Sequence, residues 1–344
     1  MDFRLLGATG VKVSALCFGT MNFGGVDDET TSAALFHRCR EAGINFFDCA
    51  DVYSDGRSEE LLGRLVASER DALVIASKAT QPTSDDRNAR GGSRRHLLRA
   101  AEASLRRLGT DRIDVYYLHR FDRDARLEET LRALDDLVSA GKILYPAASN
   151  HAAWQVQKAL GLCDRFGWAP YAAVQPMYNL FKRTAEIEVL PQAAEAGLAV
   201  VPYSPLGGGY LTGKYGRNRK PQTGRILDNP GYQVRYGDDW MLDAADRFTA
   251  FARERGWHPA SLAVAWVAGH PAVTAPIIGA RTVSQLEDSL RSVEVPMNPA
   301  LWAEVSALTP APPPANDRND DLVLGPRGEI PSATAPTRRG GPAS

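Results

Sequence analysis

The feature that most constrains the fold of this chain is a repeated alternation of short apolar runs with amphipathic helical patterns. In one such pattern Leu97, Ala101, Leu105 and Leu108 recur at helical spacing behind Ser93, a residue type that favours helix N-termini. The apolar runs are residues 13–16, 45–50, 73–78, 114–119, 143–149, 171–175, 198–204 and 274–279. Apolar strands that alternate with helices indicate a parallel sheet, and eight such units predict a closed (β/α)8 TIM barrel. An open, doubly wound sheet is the alternative.

Three segments lie outside this repeat. Residues 3–6 and 11–13 flank a glycine-containing turn at 7–10 and predict an N-terminal β-hairpin that caps the barrel bottom. Residues 207–240 form a long loop after the seventh predicted strand, a length that is typical of functional loops. Residues 309–344 are rich in proline, so we expect a poorly ordered tail behind a barrel domain of residues 1–308.

Composition excludes several classes of protein. The formal net charge is −1, and no basic stripe indicates nucleic acid binding. No apolar run is long enough for a membrane helix, and the first residues contain no signal-peptide core. The four cysteines form no C-x-x-C pair, and no histidine motif predicts a metal site, so we expect reduced thiols in a cytoplasmic protein. A homo-oligomer is left open.

Two glycine-containing segments resemble nucleotide-binding motifs only in part. The segment LLGATGV lacks the third glycine of a dinucleotide turn, and a strand rather than a helix is predicted after it. Residues 208–215 fit G-x-x-x-x-G-K, but Tyr215 stands where a P-loop needs Ser or Thr. Neither a Rossmann fold nor a nucleotide triphosphatase is therefore favoured.

The most informative stretch is GINFFDCADVYSDGRSEELLG, residues 43–63. Asp48 ends a predicted strand, Tyr53 lies in the loop that follows, and Ser58 is predicted to cap the next helix. Lys78 and His119 end the third and fourth predicted strands, whose carboxyl ends share one face of a parallel barrel. Each residue alone has an ordinary structural explanation. Their joint placement on one rim favours a catalytic group.

The chemistry of this group suits a proton donor. A phenol is a weak acid, and a nearby ammonium favours its ionised form. Lys78 can supply that ammonium, and its charge in a buried strand needs a carboxylate such as Asp48. His119 can orient a substrate carbonyl or assist proton transfer. The combination predicts protonation of an oxygen that gains negative charge.

Such a proton donor needs an electron source, and a bound nicotinamide is the natural one, because no flavin, metal or redox cysteine pair is indicated. The strand ends carry groups that suit a carboxamide, at Ser149, Asn150 and Gln175. Tyr203 follows the seventh strand, where it could stack on a flat ring or serve as a core aromatic. Backbone amides near Ser204, Leu206, Gly208 and Gly279 suit a pyrophosphate.

Several motifs together resemble the aldo-keto reductase family. They are GTMNFGG, the 43–63 stretch, IASKAT, DVYYLHRFD, AASN, VQPMYNL, PYSPLGGGYLTGKY and IIGARTVSQLEDSL, which follow the family's order from residue 3 to about 308. The resemblance extends to the branch that includes potassium-channel β subunits and bacterial NADP-dependent reductases.

The resemblance implies roles for individual residues. Tyr53 matches the general acid, Asp48 and Lys78 the pair that tunes it, and His119 the residue that orients the carbonyl. The implied cofactor contacts are Gly19, Thr20, Met21, Asp48, Ser149, Asn150, Gln175, Tyr203, Ser204, Pro205, Leu206, Gly208, Lys214, Arg225, Gly279, Arg281, Gln285, Asp288 and Ser289. Ser289 stands where the family usually has Asn.

The resemblance implies an enzyme that reduces aldehyde or ketone carbonyls. The positive charges of Lys214, Arg225 and Arg281 favour NADPH over NADH, although each could be an ordinary surface charge. A small-molecule carbonyl substrate is implied without further identity. Two alternatives are a cofactor-bound regulatory or scaffolding subunit, and a barrel lyase or isomerase that uses Lys78 as a Schiff base.

Overall fold

The structure, a computed structural model, describes residues 1–317. Within these residues an N-terminal hairpin precedes a sheet of parallel strands that is surrounded by helices. The strands are β1 (Phe3–Leu5), β2 (Lys12–Ser14), β3 (Cys17–Gly19), β4 (Phe46–Asp48), β5 (Val74–Ala79), β6 (Ile113–Leu118), β7 (Ile143–Ser149), β8 (Ala173–Gln175), β9 (Ala199–Val200) and β10 (Ile277–Ile278).

Helices connect successive strands and cover the outside of the sheet. They are α1 (Glu29–Glu41), α2 (Arg57–Val66), α3 (Arg94–Leu108), α4 (Leu127–Ser139), α5 (Ala153–Phe166), α6 (Val189–Glu195), α7 (Arg225–Asp228), α8 (Pro230–Arg235), α9 (Trp240–Glu254), α10 (Pro259–Ala268), α11 (Val283–Leu290) and α12 (Pro299–Ser306). Short 3-10 turns occur at Gly7–Thr9, Tyr53–Gly56, Arg70–Ala72, Thr184–Glu186, Gly207–Thr212 and Arg291–Glu294.

The parallel strands close into a barrel. Their order in the sheet is β10-β3-β4-β5-β6-β7-β8-β9. Cys17 N donates to Pro276 O at 3.0 Å, and Ile277 N donates to Pro202 O at 2.8 Å, so β10 links β3 to the chain just after β9. The predicted (β/α)8 barrel is therefore confirmed.

Two apolar layers form the core. The inner layer fills the barrel with mostly small side chains, and Phe46 and Tyr117 are its largest members. The outer layer lies between the strands and the helices. In α3, for example, Leu97, Ala101 and Leu105 are buried on one face behind the Ser93 cap, as their spacing predicts.

The predicted hairpin is also confirmed, and it closes the barrel bottom. β1 pairs antiparallel with β2, and Leu6 and Val13 are fully buried in the inner layer. Gly7 has a φ of +56°, and a Cβ there would lie 2.8 Å from Ala199 N at the start of β9. Glycine is required at this position because the hairpin turn packs directly on backbone.

Two sequence predictions of local structure are wrong. The first barrel strand is Cys17–Gly19 and not 13–16, because the preceding residues up to Ser14 belong to the hairpin. Ser58 does not cap α2, which begins one residue earlier behind Gly56 in a left-handed conformation. The Ser58 hydroxyl instead donates to Thr20 O at 2.8 Å inside the protein.

The segment after β9 is more ordered than the predicted loop of residues 207–240. It contains the turn Gly207–Thr212 and the two short helices α7 and α8, and α9 starts at Trp240. The predicted tail of residues 309–344 lies mostly outside the described residues, which end at 317. None of the helices within residues 1–317 combines the length and apolarity that crossing a bilayer requires.

Candidate active site

The four residues predicted for catalysis lie together at the carboxyl ends of neighbouring strands. Asp48 ends β4, Lys78 is the last residue but one of β5, and His119 follows β6 directly. Tyr53 begins the short turn after β4. The strands are parallel and in register, with Lys78 opposite Tyr117 on β6, so these side chains meet at one mouth of the barrel.

Lys78 is the centre of this group. Its side chain is fully buried, and its ammonium donates to Asp48 Oδ2 at 2.5 Å, to Cys49 O at 2.7 Å and to the Tyr53 hydroxyl at 3.1 Å. An ammonium has three donors, and all three are used. Burial alone would lower the pKa of Lys78, but Asp48 and Tyr53 outweigh burial and raise it. Lys78 therefore stays charged.

Asp48 compensates this buried charge and is itself held in place. Its second carboxylate oxygen, Oδ1, accepts a hydrogen bond from Gln175 Nε2 at 2.8 Å. A buried ion pair needs such additional bonds to offset the loss of solvent. The sequence predicted Asp48 as the partner of Lys78. It indicated neither the Gln175 brace nor the Cys49 carbonyl, because a backbone group and a residue on a distant strand leave no local signal.

Tyr53 is half-buried, and its ring stands under the Lys78 ammonium at 4.8 Å from the ring centroid. Burial raises the pKa of Tyr53 to about 12, although the charge of Lys78 acts in the opposite direction. The sequence indicates only the influence of Lys78, because the extent of burial is not visible in it. The phenol is thus protonated at neutral pH, which is the form that a proton donor requires.

His119 lies beside the phenol, with ring centroids 6.0 Å apart and ring planes at 81°. Burial, together with the charges of Lys78 and Arg120, lowers the pKa of His119 to about 3. The imidazole is therefore neutral and suits hydrogen bonding to a carbonyl better than donation of a cationic proton. Its Nδ1 is buried without a hydrogen-bond partner among residues 1–317.

The residues predicted to contact a carboxamide form one hydrogen-bonded group beside His119. Asn150 Nδ2 donates to His119 O at 2.8 Å, and the Tyr203 hydroxyl donates to Asn150 Oδ1 at 2.7 Å. The Ser149 hydroxyl donates to Gln175 O at 3.0 Å. The strand ends therefore bring these polar groups to the same mouth as Tyr53, and their contacts with a cofactor stay predictions.

The glycine-rich segment after β9 bends sharply. Ser204, Gly208 and Gly209 have φ values of +60°, +68° and +108°. A Cβ on Gly208 would lie 3.2 Å from Ile226 and Tyr232, so glycine allows α7 and α8 to approach this backbone. Gly279 is exposed, and the nearest atom to a Cβ there is Gly19 O at 3.7 Å. The bent backbone at Ser204, Gly208 and Gly209 and the exposed Gly279 both suit a pyrophosphate.

Three cations lie near this backbone, namely Lys214, Arg225 and Arg281. Burial, and then the charges of Arg281 and Arg225, lower the pKa of Lys214. Within residues 1–317 none of the three has a carboxylate within salt-bridge distance. Arg225 donates to Asn22 Oδ1 at 3.1 Å, a contact that the sequence did not indicate. A group of unpaired cations fits an anion such as a phosphate.

Most of the other residues predicted to contact the cofactor are buried or interact with neighbouring protein groups. Thr20 is buried, and its hydroxyl donates to Asp48 O at 3.1 Å, whereas Met21 is exposed. Gln285 Oε1 accepts from Arg281 N at 3.1 Å, and one Asp288 oxygen lies 3.7 Å from His258 Nδ1. The remaining predicted residues here are Pro205 and Leu206, which are buried and half-buried, and Ser289, which is fully buried.

Comparison with known proteins agrees with this geometry. The family model described as "Aldo/keto reductase family" matches residues 15–309. The chain belongs to this family. It is accordingly an NAD(P)H-dependent oxidoreductase acting on a small molecule.

Three similar proteins cover most of the chain. "Uncharacterized oxidoreductase YrpG" of Bacillus subtilis (strain 168) is 35% identical over 97% of this chain and 100% of its own length. A "Probable voltage-gated potassium channel subunit beta" of Arabidopsis thaliana is 36% identical, over 86% of this chain and 92% of its own. "L-glyceraldehyde 3-phosphate reductase" of Escherichia coli (strain K12) is 33% identical, over 85% and 88%. The resemblance found in the sequence motifs is confirmed.

Proposed function

We propose that this protein reduces aldehydes or ketones to alcohols, with NADPH as hydride donor and Tyr53 as proton donor. The observation that carries the proposal is the placement of one buried ammonium, on Lys78, between the Tyr53 hydroxyl at 3.1 Å and Asp48 at 2.5 Å. The Lys78 ammonium can stabilise negative charge on the Tyr53 oxygen. Its own charge is balanced by Asp48, so the Lys78–Asp48 pair is neutral.

Tyr53, Lys78 and His119 each have a separate role at the carbonyl oxygen of the substrate. A nicotinamide cofactor, which Asn150, Gln175 and Tyr203 would hold at this mouth, would supply the hydride for the carbonyl carbon. Tyr53 gives its proton to the carbonyl oxygen as that oxygen becomes negative, and the nearby Lys78 ammonium stabilises the resulting phenolate. Neutral His119 offers a ring N–H to the same oxygen and orients it. Solvent then returns a proton to Tyr53.

Replacement of Tyr53 tests this assignment. Tyr53→Phe removes the hydroxyl and keeps the ring, so we expect kcat to fall by about 10²- to 10⁴-fold while the Kd for NADPH stays nearly unchanged. NADPH oxidation with 4-nitrobenzaldehyde gives kcat, and quenching of protein fluorescence gives Kd. If activity survives in this variant, Tyr53 is not the proton donor.

The preference for NADPH rests on the unpaired cations described above. Lys214→Ala combined with Arg225→Ala should weaken NADPH binding by at least about tenfold and NADH binding much less, because only NADPH carries the additional phosphate. Lys12→Ala, which removes a cation from the hairpin at the opposite end of the barrel, is the matched control. Equal losses for both cofactors would exclude these two residues as the phosphate site.

A cofactor-bound regulatory or scaffolding role is the second candidate, because one similar protein is named as a channel β subunit. A broad panel of carbonyl compounds separates the two functions. Turnover supports the reductase, and cofactor binding without turnover across the panel supports the scaffold. The Schiff-base alternative requires a neutral amine, and the raised pKa of Lys78 beside Asp48 does not favour it.

A further inference from the structure

Thr80 has the most unusual backbone conformation at the barrel mouth. It follows β5, two residues after Lys78, is 1% exposed, and has a φ of +98°. Within residues 1–317 the other non-glycine residues with positive φ have values between +50° and +60°, near the left-handed helical well. Thr80 is the β-branched member of this group and lies outside that well. A β-branched side chain is strained in this backbone conformation.

The Thr80 side chain forms hydrogen bonds that offset the cost of the strained backbone. Its hydroxyl accepts a hydrogen bond from Arg120 N at 3.2 Å and donates to Arg120 O at 3.4 Å. One hydroxyl thus satisfies both backbone groups of the residue directly after His119. Glycine or asparagine would fit the backbone conformation with less strain, but neither offers a hydroxyl at this position.

The same strand end also holds His119 from its other side. His119 N donates to Ala79 O at 2.8 Å, and Thr80 is the next residue after Ala79. The Thr80 carbonyl in turn accepts from Gly91 N at 2.9 Å. Two consecutive residues of the β5 end therefore hold the backbone on both sides of His119, while neither side chain forms a hydrogen bond to Tyr53, Asp48 or the Lys78 ammonium.

We propose that Thr80 is a positioning residue for carbonyl reduction, which fixes His119 against Tyr53 through the hydroxyl bridge to Arg120. The proposal rests on the proposed function, because it assumes that His119 orients the substrate carbonyl. Loss of the bridge frees the backbone after His119, and a displacement of about 1 Å at a catalytic group can cost about 10²-fold in rate. Within residues 1–317 the Thr80 hydroxyl forms no hydrogen bond with any residue predicted to contact the cofactor, so we expect cofactor binding to change much less than the rate.

Two substitutions separate the hydroxyl from the shape of the side chain. Thr80→Val keeps the shape and removes the hydroxyl, so we expect kcat/KM for 4-nitrobenzaldehyde to fall by about 10- to 100-fold. Thr80→Ser keeps the hydroxyl and should stay within about threefold of the original protein. The Kd for NADPH should change by less than about twofold in both variants. Thr80→Gly removes the hydroxyl and also relieves the strain, so it gives the same test if the valine variant does not fold.

A double-substitution cycle shows whether Thr80 acts through His119. In a His119→Ala background, Thr80→Val should cause almost no further loss, because the group that it positions is already gone. Losses that multiply in the cycle, or equal losses in the valine and serine variants, would overturn the proposal. Absence of turnover in the unmodified protein would refute the proposed function and this inference together. Turnover that the valine and glycine variants retain in full would refute the inference alone.

Discussion

Asp51 is a buried acid immediately behind the turn that carries Tyr53. It is 4% exposed, and neither carboxyl oxygen has a hydrogen bond of normal geometry within residues 1–317. Burial and the neighbouring Glu59 raise the pKa of Asp51 to about 8, although Arg107, the Val52 N–H and Lys78 act in the opposite direction. At neutral pH the folded protein therefore holds a proton on this carboxyl, which the unfolded chain releases.

This difference makes the free energy of unfolding depend on pH. The pKa of Asp51 is about 8 in the folded state against 3.8 in the unfolded chain. Its protonated form contributes stability that is present in full below about pH 4 and is lost as pH rises towards the folded value. Four pH units at about 1.4 kcal/mol each give an upper limit of about 6 kcal/mol for the stability lost. Water that enters around the ionised carboxylate lowers this loss, and we expect a loss of at least about 2 kcal/mol.

Asp51→Asn removes the ionisation and should remove this slope. Urea unfolding of both proteins between about pH 5 and about pH 9 gives the difference in unfolding free energy, from which the contributions of all shared groups cancel. We expect the variant to gain stability relative to the original protein steadily up to about pH 8, the folded pKa of Asp51, and then to level off. Asp55→Asn, on an exposed side chain four residues further on, should show a constant difference. A constant difference for Asp51→Asn as well would refute the reasoning that burial keeps this carboxyl protonated.

Two further substitutions test the packing behind the site by urea unfolding. A Cβ on Gly63 in α2 would lie 2.6 Å from the carbonyl carbon of Leu108, so Gly63→Ala should cost about 1–3 kcal/mol of unfolding free energy. Gly161 in α5 has open space around it, so Gly161→Ala should gain up to about 1 kcal/mol. Equal effects of the two substitutions would contradict the packing of α2 on α3. The Arg107 guanidinium lies 2.6 Å from the carboxylate of the fully buried Glu59, so Arg107→Met should cost about 3–5 kcal/mol of unfolding free energy. Adding Glu59→Gln should recover much of this loss, because the unpaired buried charge is then removed. A loss that persists in the double variant would mean that Arg107 stabilises the protein by the packing of its methylene groups and not by its charge.

The sequence predicted the barrel because the apolar strands and amphipathic helices each follow a clear period. It located Asp48, Lys78 and His119 because each lies at or next to the end of a strand. It misplaced the first strand because the hairpin strand ends at Ser14 and the barrel strand begins at Cys17, with no turn residue between them to mark the boundary.

Other features of the site depend on quantities that the sequence does not contain. The protonation of Tyr53 reflects a balance between burial and the charge of Lys78, and only the structure gives the extent of burial. Ser58 has the residue type of a cap, but the left-handed Gly56 takes that position. The strained Thr80 has no sequence signal at all, because nothing in a lone threonine reveals a positive φ.

The distances along the chain between contacting catalytic groups have a consequence for how the protein folds. Lys78 binds Asp48 across 30 residues, and Gln175 binds the same carboxylate across 127 residues. Contacts between such distant segments form only after large loops have closed, and helices can form well before then. No half of the chain holds the complete site. Enzyme activity should therefore be the last property that a refolding chain acquires, and its appearance reports that the barrel has closed.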